Sequence, residues 1–343
     1  MTPRWLRGGV SLLASVGPSS DQRGQRMGQP LVSIVTPVLN RIETISACLA
    51  SVADQTYQPI EQIVVDGGST DGTLELLGAY RPSHSFRWIS EADNGMYEAI
   101  NKGISMARGD VLAYLNSDDI YFPWSVDVAV RALGSGADLV YGDLGVLRPH
   151  ADGTPAGFNI LFYPDFDLRH YSFVGTMGQP TVFWRQSLTE AIGLFDTDYR
   201  LIGDCEYWLR AALAGASIHH VTEILAVQVE HASTLRATQP TRLGDEFKKL
   251  RARMRAVIDP PAHLRLERLK RSVAWRARNL EFIYAMKARH PHKWPHFVER
   301  LRAHGIEVTL GDLGILAPAR WRRKATLFSD VPQLSRVLGG EGW

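Results

Sequence analysis

Cysteine, net charge and long apolar runs are all scarce in this 343-residue chain. The two cysteines, Cys48 and Cys205, lie far apart and outside any CxxC motif, so they offer neither a metal framework nor a disulfide scaffold. Lys and Arg number 38 against 36 Asp and Glu, a net charge of +2, which gives no bulk attraction for nucleic acid. No stretch approaches the roughly 20 apolar residues of a membrane-spanning helix. These features predict a folded protein of the reducing cytoplasm.

Composition divides the chain into three regions. Residues 1–30 are rich in Ser, Gly, Gln and Arg, which predicts a disordered tail. Residues 31–235 are predicted to form one large folded domain. Residues 236–343 are predicted to be basic and mainly helical, because twelve Lys or Arg between Arg242 and Arg278 face only four Asp or Glu. This basic region would pack on the large domain or associate with an anionic membrane surface.

Apolar runs of strand length alternate with segments of helical spacing in the first half of the large domain. Strands are expected at residues 31–38, 62–65, 86–89 and 111–115, and helices at 41–55, 73–80, 96–107 and 124–133. After residue 145 the alternation weakens, and we expect strands at 179–185 and 217–229 and a helix at 203–214. This pattern predicts an α/β fold, a mostly parallel sheet covered by helices on both faces. Ligands of such sheets lie beyond the carboxyl ends of the strands.

Asn116, Ser117, Asp118 and Asp119 follow one of these strands directly. Adjacent carboxylates at the end of a buried strand must be solvated, paired or bound to a cation. Hard oxygen ligands suit Mg²⁺ or Mn²⁺, which would neutralise a departing diphosphate. A solvated turn in which Asp119 caps the next helix explains the same residues, so both interpretations stay open.

Three other residues are candidates for ligand contacts. Asp66 precedes a glycine-rich turn, but a carboxylate there would repel pyrophosphate, so it is better suited to a nucleobase N–H or ribose hydroxyls; capping the turn is its alternative. Asp204, at the start of a helix, can cap that helix and still project into a cleft. His231 follows a strand and could bind a metal or phosphate, although a lone histidine is more often structural.

Taken in order, the motifs from Leu31 to Ser233 resemble the family 2 glycosyltransferases, whose domain has the GT-A fold. The motifs are VSIVTP with Asn40, VVDGGSTDGT, DNGMYEAINKG, LNSDD, and QPT with GLFD. The resemblance implies nucleotide-sugar binding by Thr36, Pro37, Asp66, Asp93, Lys102, Asn116, Ser117 and Asp118, with Gln179 on the acceptor side. It implies Asp118 as the direct metal ligand with Asp119 close by, and Asp204 as the catalytic base. The family often has Asp at position 116, and an acidic residue where Gly203 stands.

The expected function is therefore an inverting, Mn²⁺- or Mg²⁺-dependent glycosyltransferase. It would move a sugar from a nucleotide diphosphate-sugar, with a UDP-sugar as the expected donor, to a hydroxyl of a saccharide or lipid-linked acceptor in cell-envelope polysaccharide biosynthesis. A catalytically silent nucleotide-sugar-binding scaffold is the alternative, and no nucleic-acid partner is expected. The expected location is the cytoplasm, with peripheral association at the inner face of the cytoplasmic membrane kept as an alternative.

Overall fold

The computed structural model describes residues 28–149, 155–161, 163, 165–171, 177–229 and 234–257. The predicted tail up to residue 27, the candidate ligand His231 and the C-terminal region beyond residue 257 lie outside the described residues. No helix in the described ranges is both long and apolar enough to cross a membrane.

Nine strands within the described ranges form one mixed sheet. They are β1 Val32–Val38, β2 Ile60–Asp66, β3 Ser85–Ser90, β4 Val111–Tyr114, β5 Ile120–Tyr121, β6 Leu139–Pro149, β7 Pro155–Leu161, β8 Phe183–Arg185 and β9 Ile218–Val229. Their order is β3-β2-β1-β4-β8-β6-β9-β5, with β7 paired to β6. The four strands β1 to β4 run parallel, whereas β8 pairs antiparallel with β4 and with β6. The predicted α/β fold with a mostly parallel sheet is confirmed.

Helices cover both faces of this sheet. They are α1 Ile45–Ala53, α2 Thr73–Ala79, α3 Met96–Met106, α4 Ser125–Gly134, α5 Leu168–Tyr171, α6 Gln186–Ile192, α7 Gly203–Leu213, α8 Leu235–Thr238 and α9 Pro240–Val257. Alternate residues of β1 face opposite clusters: Val35 packs with α3, and Ile34 packs with Cys48 of α1. Because β1 is buried along its whole length, each such side chain contributes about 1.5–3 kcal/mol by burial.

The second half of the domain differs from the sequence expectation. The strand predicted over residues 179–185 begins only at Phe183, and Gln179–Thr181 forms a 3₁₀ turn. Pro180 explains the shift, since proline has no N–H to donate to a strand ladder. The β6–β7 hairpin was not predicted at all. Gly142, Gly145 and Pro149 interrupt its apolar pattern, although most of β6 from Leu139 to Leu147 is buried.

The helix α9 is fastened to the loop that leads into α7. Glu246 of α9 is buried and accepts hydrogen bonds from the backbone N–H groups of Arg200, Leu201 and Ile202 at 2.9, 2.9 and 3.2 Å. Leu250 and Met254 add apolar side chains of α9 to the cluster that contains α7. The beginning of the basic C-terminal region therefore helps to fix the start of α7, where Asp204 lies.

Candidate active site

The carboxyl ends of β1, β2 and β4 meet at one edge of the sheet. Val38 pairs with Asp66, and Val35 pairs with Tyr114, so the loops that follow these strands are neighbours. Two side chains join the first two loops. Asn40 Oδ1 accepts from Thr70 N at 2.8 Å, and Asp71 Oδ2 accepts from Ile42 N at 2.9 Å. Both contacts use backbone donors, which makes this border of the site rigid.

Asp66 organises the turn that follows it. Its carboxylate is fully buried and accepts from Gly68 N at 2.8 Å, Ser69 N at 2.9 Å and Ser90 Oγ at 2.7 Å, with a further short contact from Ser69 Oγ. These four hydrogen bonds occupy the usual accepting capacity of a carboxylate. The turn-capping role considered for Asp66 is therefore present, and its contact with a nucleoside stays a prediction.

Thr36 and Pro37 lie in the buried strand β1. The Thr36 hydroxyl accepts from Gln62 Nε2 at 3.2 Å and has no exposed surface. Pro37 is likewise buried. These residues belong to the buried strand that precedes the first of these loops. Their contact with the nucleotide stays a prediction.

Asp93 occupies space that a side chain at position 67 would need. A Cβ atom on Gly67 would lie 2.7 Å from Asp93 Oδ2, closer than real Cβ contacts allow. Asp93 Oδ1 accepts from Gly95 N at 2.8 Å, which holds the carboxylate in this place. The glycine-rich turn thus leaves room for a half-buried acid from the β3–α3 loop, beside the predicted nucleoside position.

Lys102 contacts the loop that follows β3. Its Nζ lies 3.4 Å from Glu91 and 3.6 Å from Glu98, and donates to Ala92 O at 3.3 Å. In this arrangement the ammonium stabilises the β3–α3 loop. The predicted role of Lys102 at the diphosphate stays a prediction.

Asn116 links the predicted metal and acceptor segments. Its Nδ2 donates to Gln179 Oε1 at 2.9 Å and to Asp119 Oδ2 at 3.3 Å. Gln179 Nε2 in turn donates to the Tyr114 carbonyl at 2.9 Å. Asp119 Oδ1 accepts from Val229 N at 3.2 Å. The predicted acceptor-side Gln179 is therefore a direct neighbour of the β4 end.

The cluster of Asn116, Asp118 and Asp119 fits a divalent cation. Burial, followed by the neighbouring charge of Asp118, raises the pKa of Asp119 well above its usual range. A bound cation would offset both the loss of hydration and the repulsion between the two carboxylates. Asn116 Oδ1 is buried and has no hydrogen-bond partner among the described residues. Within those ranges no group of three His, Cys, Asp or Glu side chains is arranged to hold a metal. Mg²⁺ is, however, usually bound by only one or two carboxylates, and substrate phosphates complete its coordination.

Asp204 is held by Tyr97. The Tyr97 hydroxyl donates to Asp204 Oδ1 at 3.1 Å and accepts from Asp204 N at 3.1 Å. Burial and the charge of Asp204 raise the pKa of Tyr97 well above its ordinary value, so the phenol remains a donor. The ring of Tyr97 stacks on Phe195 with centroids 5.6 Å apart. The carboxylate of Asp204 therefore has a defined orientation in the first turn of α7.

Gly203 makes this contact possible. A Cβ atom at position 203 would lie 2.9 Å from two atoms of the Tyr97 ring. An acidic residue here, as the family resemblance implies, would displace the ring from Asp204. The departure at Gly203 thus has a physical reason: the space is used by Tyr97, which contacts Asp204 from α3.

Glu206 has a structural role, as its spacing to Arg210 predicts. It is 1% exposed and contacts Arg210 at 3.0 Å and Arg253 at 2.7 Å. The second pair joins α7 to α9. Because both carboxylate oxygens are engaged, Glu206 fastens the two helices together beside the site.

Arg236 is a site residue that the sequence did not predict. Its Nη2 lies 3.5 Å from Asp204 Oδ2, and its charge also opposes the rise in the pKa of Asp119. Arg236 therefore lies beside Asp204, the predicted catalytic base. No pattern marks it in the sequence, where it is one arginine in a stretch of small and polar residues.

Comparison with known proteins adds three findings. The family model described as "Glycosyl transferase family 2" matches residues 33–175. The PGL/p-HBAD biosynthesis glycosyltransferase of Mycobacterium bovis is 31% identical over 228 residues, which cover 65% of this chain and 84% of that protein. Two solved structures share the fold. S. aureus TarS 1-349 in complex with UDP-GlcNAc has a TM-score of 0.51 and 18% identity, with 80% of each chain covered. Mannosyltransferase PcManGT from Pyrobaculum calidifontis in complex with GDP-Man and Mn²⁺ has a TM-score of 0.51 and 18% identity, covering 97% of this chain and 88% of that one.

Proposed function

The chain belongs to glycosyltransferase family 2, with the GT-A fold, and we propose that it transfers a sugar with inversion from a nucleotide diphosphate-sugar to an acceptor hydroxyl. The observation that carries this proposal is the position of Asp204. It is a buried carboxylate that the Tyr97 hydroxyl orients. Tyr97 and Tyr114, the last residue of β4, both pack on the ring of Phe195, so Asp204 lies near the acidic cluster that follows β4. One site thus contains a base and a place for the leaving diphosphate.

In the proposed reaction the carboxylate of Asp204 accepts the proton of the acceptor hydroxyl while the hydroxyl oxygen attacks the anomeric carbon. The bond from that carbon to the diphosphate oxygen breaks on the opposite side, so a single displacement inverts the configuration. General-base assistance of this kind is worth roughly 10²–10⁴-fold in rate. Tyr97 supports it by holding one carboxylate oxygen, which leaves the other directed towards the site.

We propose that Asp118, Asp119 and Asn116 Oδ1 hold the divalent cation. When bound, Mn²⁺ or Mg²⁺ would supply positive charge that stabilises the departing diphosphate. The support from this chain is the raised pKa of Asp119 and the buried Asn116 Oδ1, which has no hydrogen-bond partner within the part of the chain that the structure describes. Among proteins of the same fold, PcManGT was solved with Mn²⁺.

The nucleotide is proposed to lie above β1 and β2, with its base beside Asp93 and its diphosphate towards Asp118. A UDP-sugar is the first donor to test, since TarS was solved with UDP-GlcNAc, and a GDP-sugar is the second, since PcManGT was solved with GDP-Man. A saccharide or lipid-linked acceptor would approach from the side of Gln179. The cytoplasm, with peripheral attachment to the inner face of the membrane, remains the proposed location.

The experiment that tests this function is a calorimetric and thermal-shift screen of UDP, GDP, dTDP and CDP, with and without Mn²⁺, on the wild type and Asp118→Ala. We expect one nucleotide to stabilise the wild type in a metal-dependent way, by about 2.7 kcal/mol at a concentration of 100 times its Kd. That effect should disappear in Asp118→Ala. Absence of binding by all four would contradict the proposal. Binding without any turnover would favour a silent nucleotide-sugar-binding scaffold.

A further inference from the structure

Arg236 contacts the proposed base and is the more exposed member of the pair. Its side chain is 49% exposed, whereas that of Asp204 is only 5% exposed. At 3.5 Å the contact from Nη2 to Asp204 Oδ2 is longer than the 2.7–2.9 Å of a strong charge-assisted pair. A ligand that offers Arg236 shorter charge-assisted hydrogen bonds could therefore compete with Asp204 for it.

Three other basic residues near the site contact carboxylates that are not part of the proposed machinery. Lys102 contacts Glu91 and Glu98, and both Arg210 and Arg253 contact Glu206. Arg236 differs in that its carboxylate partner is the proposed base, with Nη2 lying 3.5 Å from Asp204 Oδ2. In the proposed reaction the base and the leaving diphosphate act on the same anomeric carbon, so a guanidinium beside the base lies close to the diphosphate as well.

The chemistry of the two partners favours exchange. A diphosphate carries more negative charge than one carboxylate and accepts two parallel hydrogen bonds from a guanidinium fork. While Arg236 contacts Asp204, one oxygen of the proposed base is occupied by a cation. Movement of Arg236 to the diphosphate would free that oxygen for the acceptor hydroxyl.

We propose, resting on the function proposed above, that Arg236 binds the leaving diphosphate of the donor and that donor binding moves it off Asp204. The base would then become available only when a donor is in place.

The test measures the affinities of UDP and GDP, each with Mn²⁺, by calorimetry. Arg236→Gln should weaken the nucleotide that the wild type binds by about 10- to 100-fold, with a smaller loss for the corresponding monophosphate and an intermediate loss in Arg236→Lys. Arg242→Gln is the matched control. Arg242 is 54% exposed and contacts Glu246 at 3.7 Å, so this variant should bind the nucleotide as the wild type does. Equal melting temperatures of the two variants would show that the fold is intact.

A double-mutant cycle distinguishes exchange from simple electrostatics. Asp204→Asn should tighten diphosphate binding by about 3- to 10-fold, because Arg236 no longer has a competing carboxylate. That gain should vanish when Arg236→Gln is also present. If Asp204→Asn still tightens diphosphate binding when Arg236→Gln is also present, the gain comes only from removing a negative charge. That result would overturn the exchange. Unchanged affinity in Arg236→Gln would overturn the whole inference, while leaving the proposed function intact. Failure of the wild type to bind either nucleotide would overturn both.

Discussion

Removing the Tyr97 hydroxyl should slow turnover while leaving donor binding intact. Tyr97→Phe deletes the donor to Asp204 Oδ1 and the acceptor of Asp204 N, both at 3.1 Å, but keeps the ring that stacks on Phe195. A hydrogen bond to a charged group contributes about 1.5–3 kcal/mol. If that energy orients the base in the transition state, kcat falls by about 10- to 100-fold, at 1.36 kcal/mol per tenfold. KM for the donor should change less than threefold on the same reasoning.

The assay is steady-state release of nucleoside diphosphate, with chemical denaturation on the same samples. Tyr171→Phe is the matched control, since the Tyr171 hydroxyl is also buried and donates at 3.0 Å to the carbonyl of Cys205, the residue after Asp204. Both variants should lose about 1–3 kcal/mol of unfolding free energy, but only Tyr97→Phe should lose turnover. A kcat for Tyr97→Phe within twofold of that of Tyr171→Phe would refute the idea that Tyr97 positions the base.

Three further predictions concern Gly203, the acidic pair and Glu206. Gly203→Ala should lower kcat at least tenfold by displacing the Tyr97 ring, whereas Gly134→Ala, with open space around it, should not. The raised pKa of Asp119 means that the folded state binds a proton more tightly than the unfolded state. The contribution of Asp119 to the stability of the metal-free protein should therefore fall as pH rises above about 4. In urea denaturation Asp118→Asn should show a smaller fall than the wild type, and it should gain nothing from Mn²⁺. Glu206→Gln should cost about 2–3 kcal/mol of unfolding free energy, seen by urea denaturation with unchanged nucleotide affinity.

The first half of the fold could be predicted because its signals are local. The apolar runs that became β1, β2, β3 and β4 are short, bounded by turns and separated by segments of helical spacing, so periodicity alone places them. Hairpin β6–β7 escaped prediction because glycine and proline interrupt its pattern, and its pairing with β9 joins residues far apart in sequence. Such pairing leaves no periodic signal.

In the candidate site, too, residues marked by a local sequence signal could be predicted, and residues defined by distant contacts could not. Adjacent acids after a buried strand marked Asp118 and Asp119, since carboxylates at such a place need a partner. Arg236 and Tyr97 could not be found in this way, because their importance comes from contacts with Asp204 across 32 and 107 residues of chain. The sequence gives no reason for a glycine at position 203. The structure does, because a Cβ atom there would lie 2.9 Å from the Tyr97 ring.

The measurement that tests the central claim most directly is the anomeric configuration of the sugar released from UDP- and GDP-sugars, followed by NMR in the presence of Mn²⁺ with water as the acceptor. Wild type should release the nucleoside diphosphate and a sugar whose first-formed anomer is opposite to that of the donor. Asp204→Asn should reduce this release by about 10²–10⁴-fold. A retained configuration, or equal rates in wild type and Asp204→Asn, would contradict single displacement with Asp204 as the base.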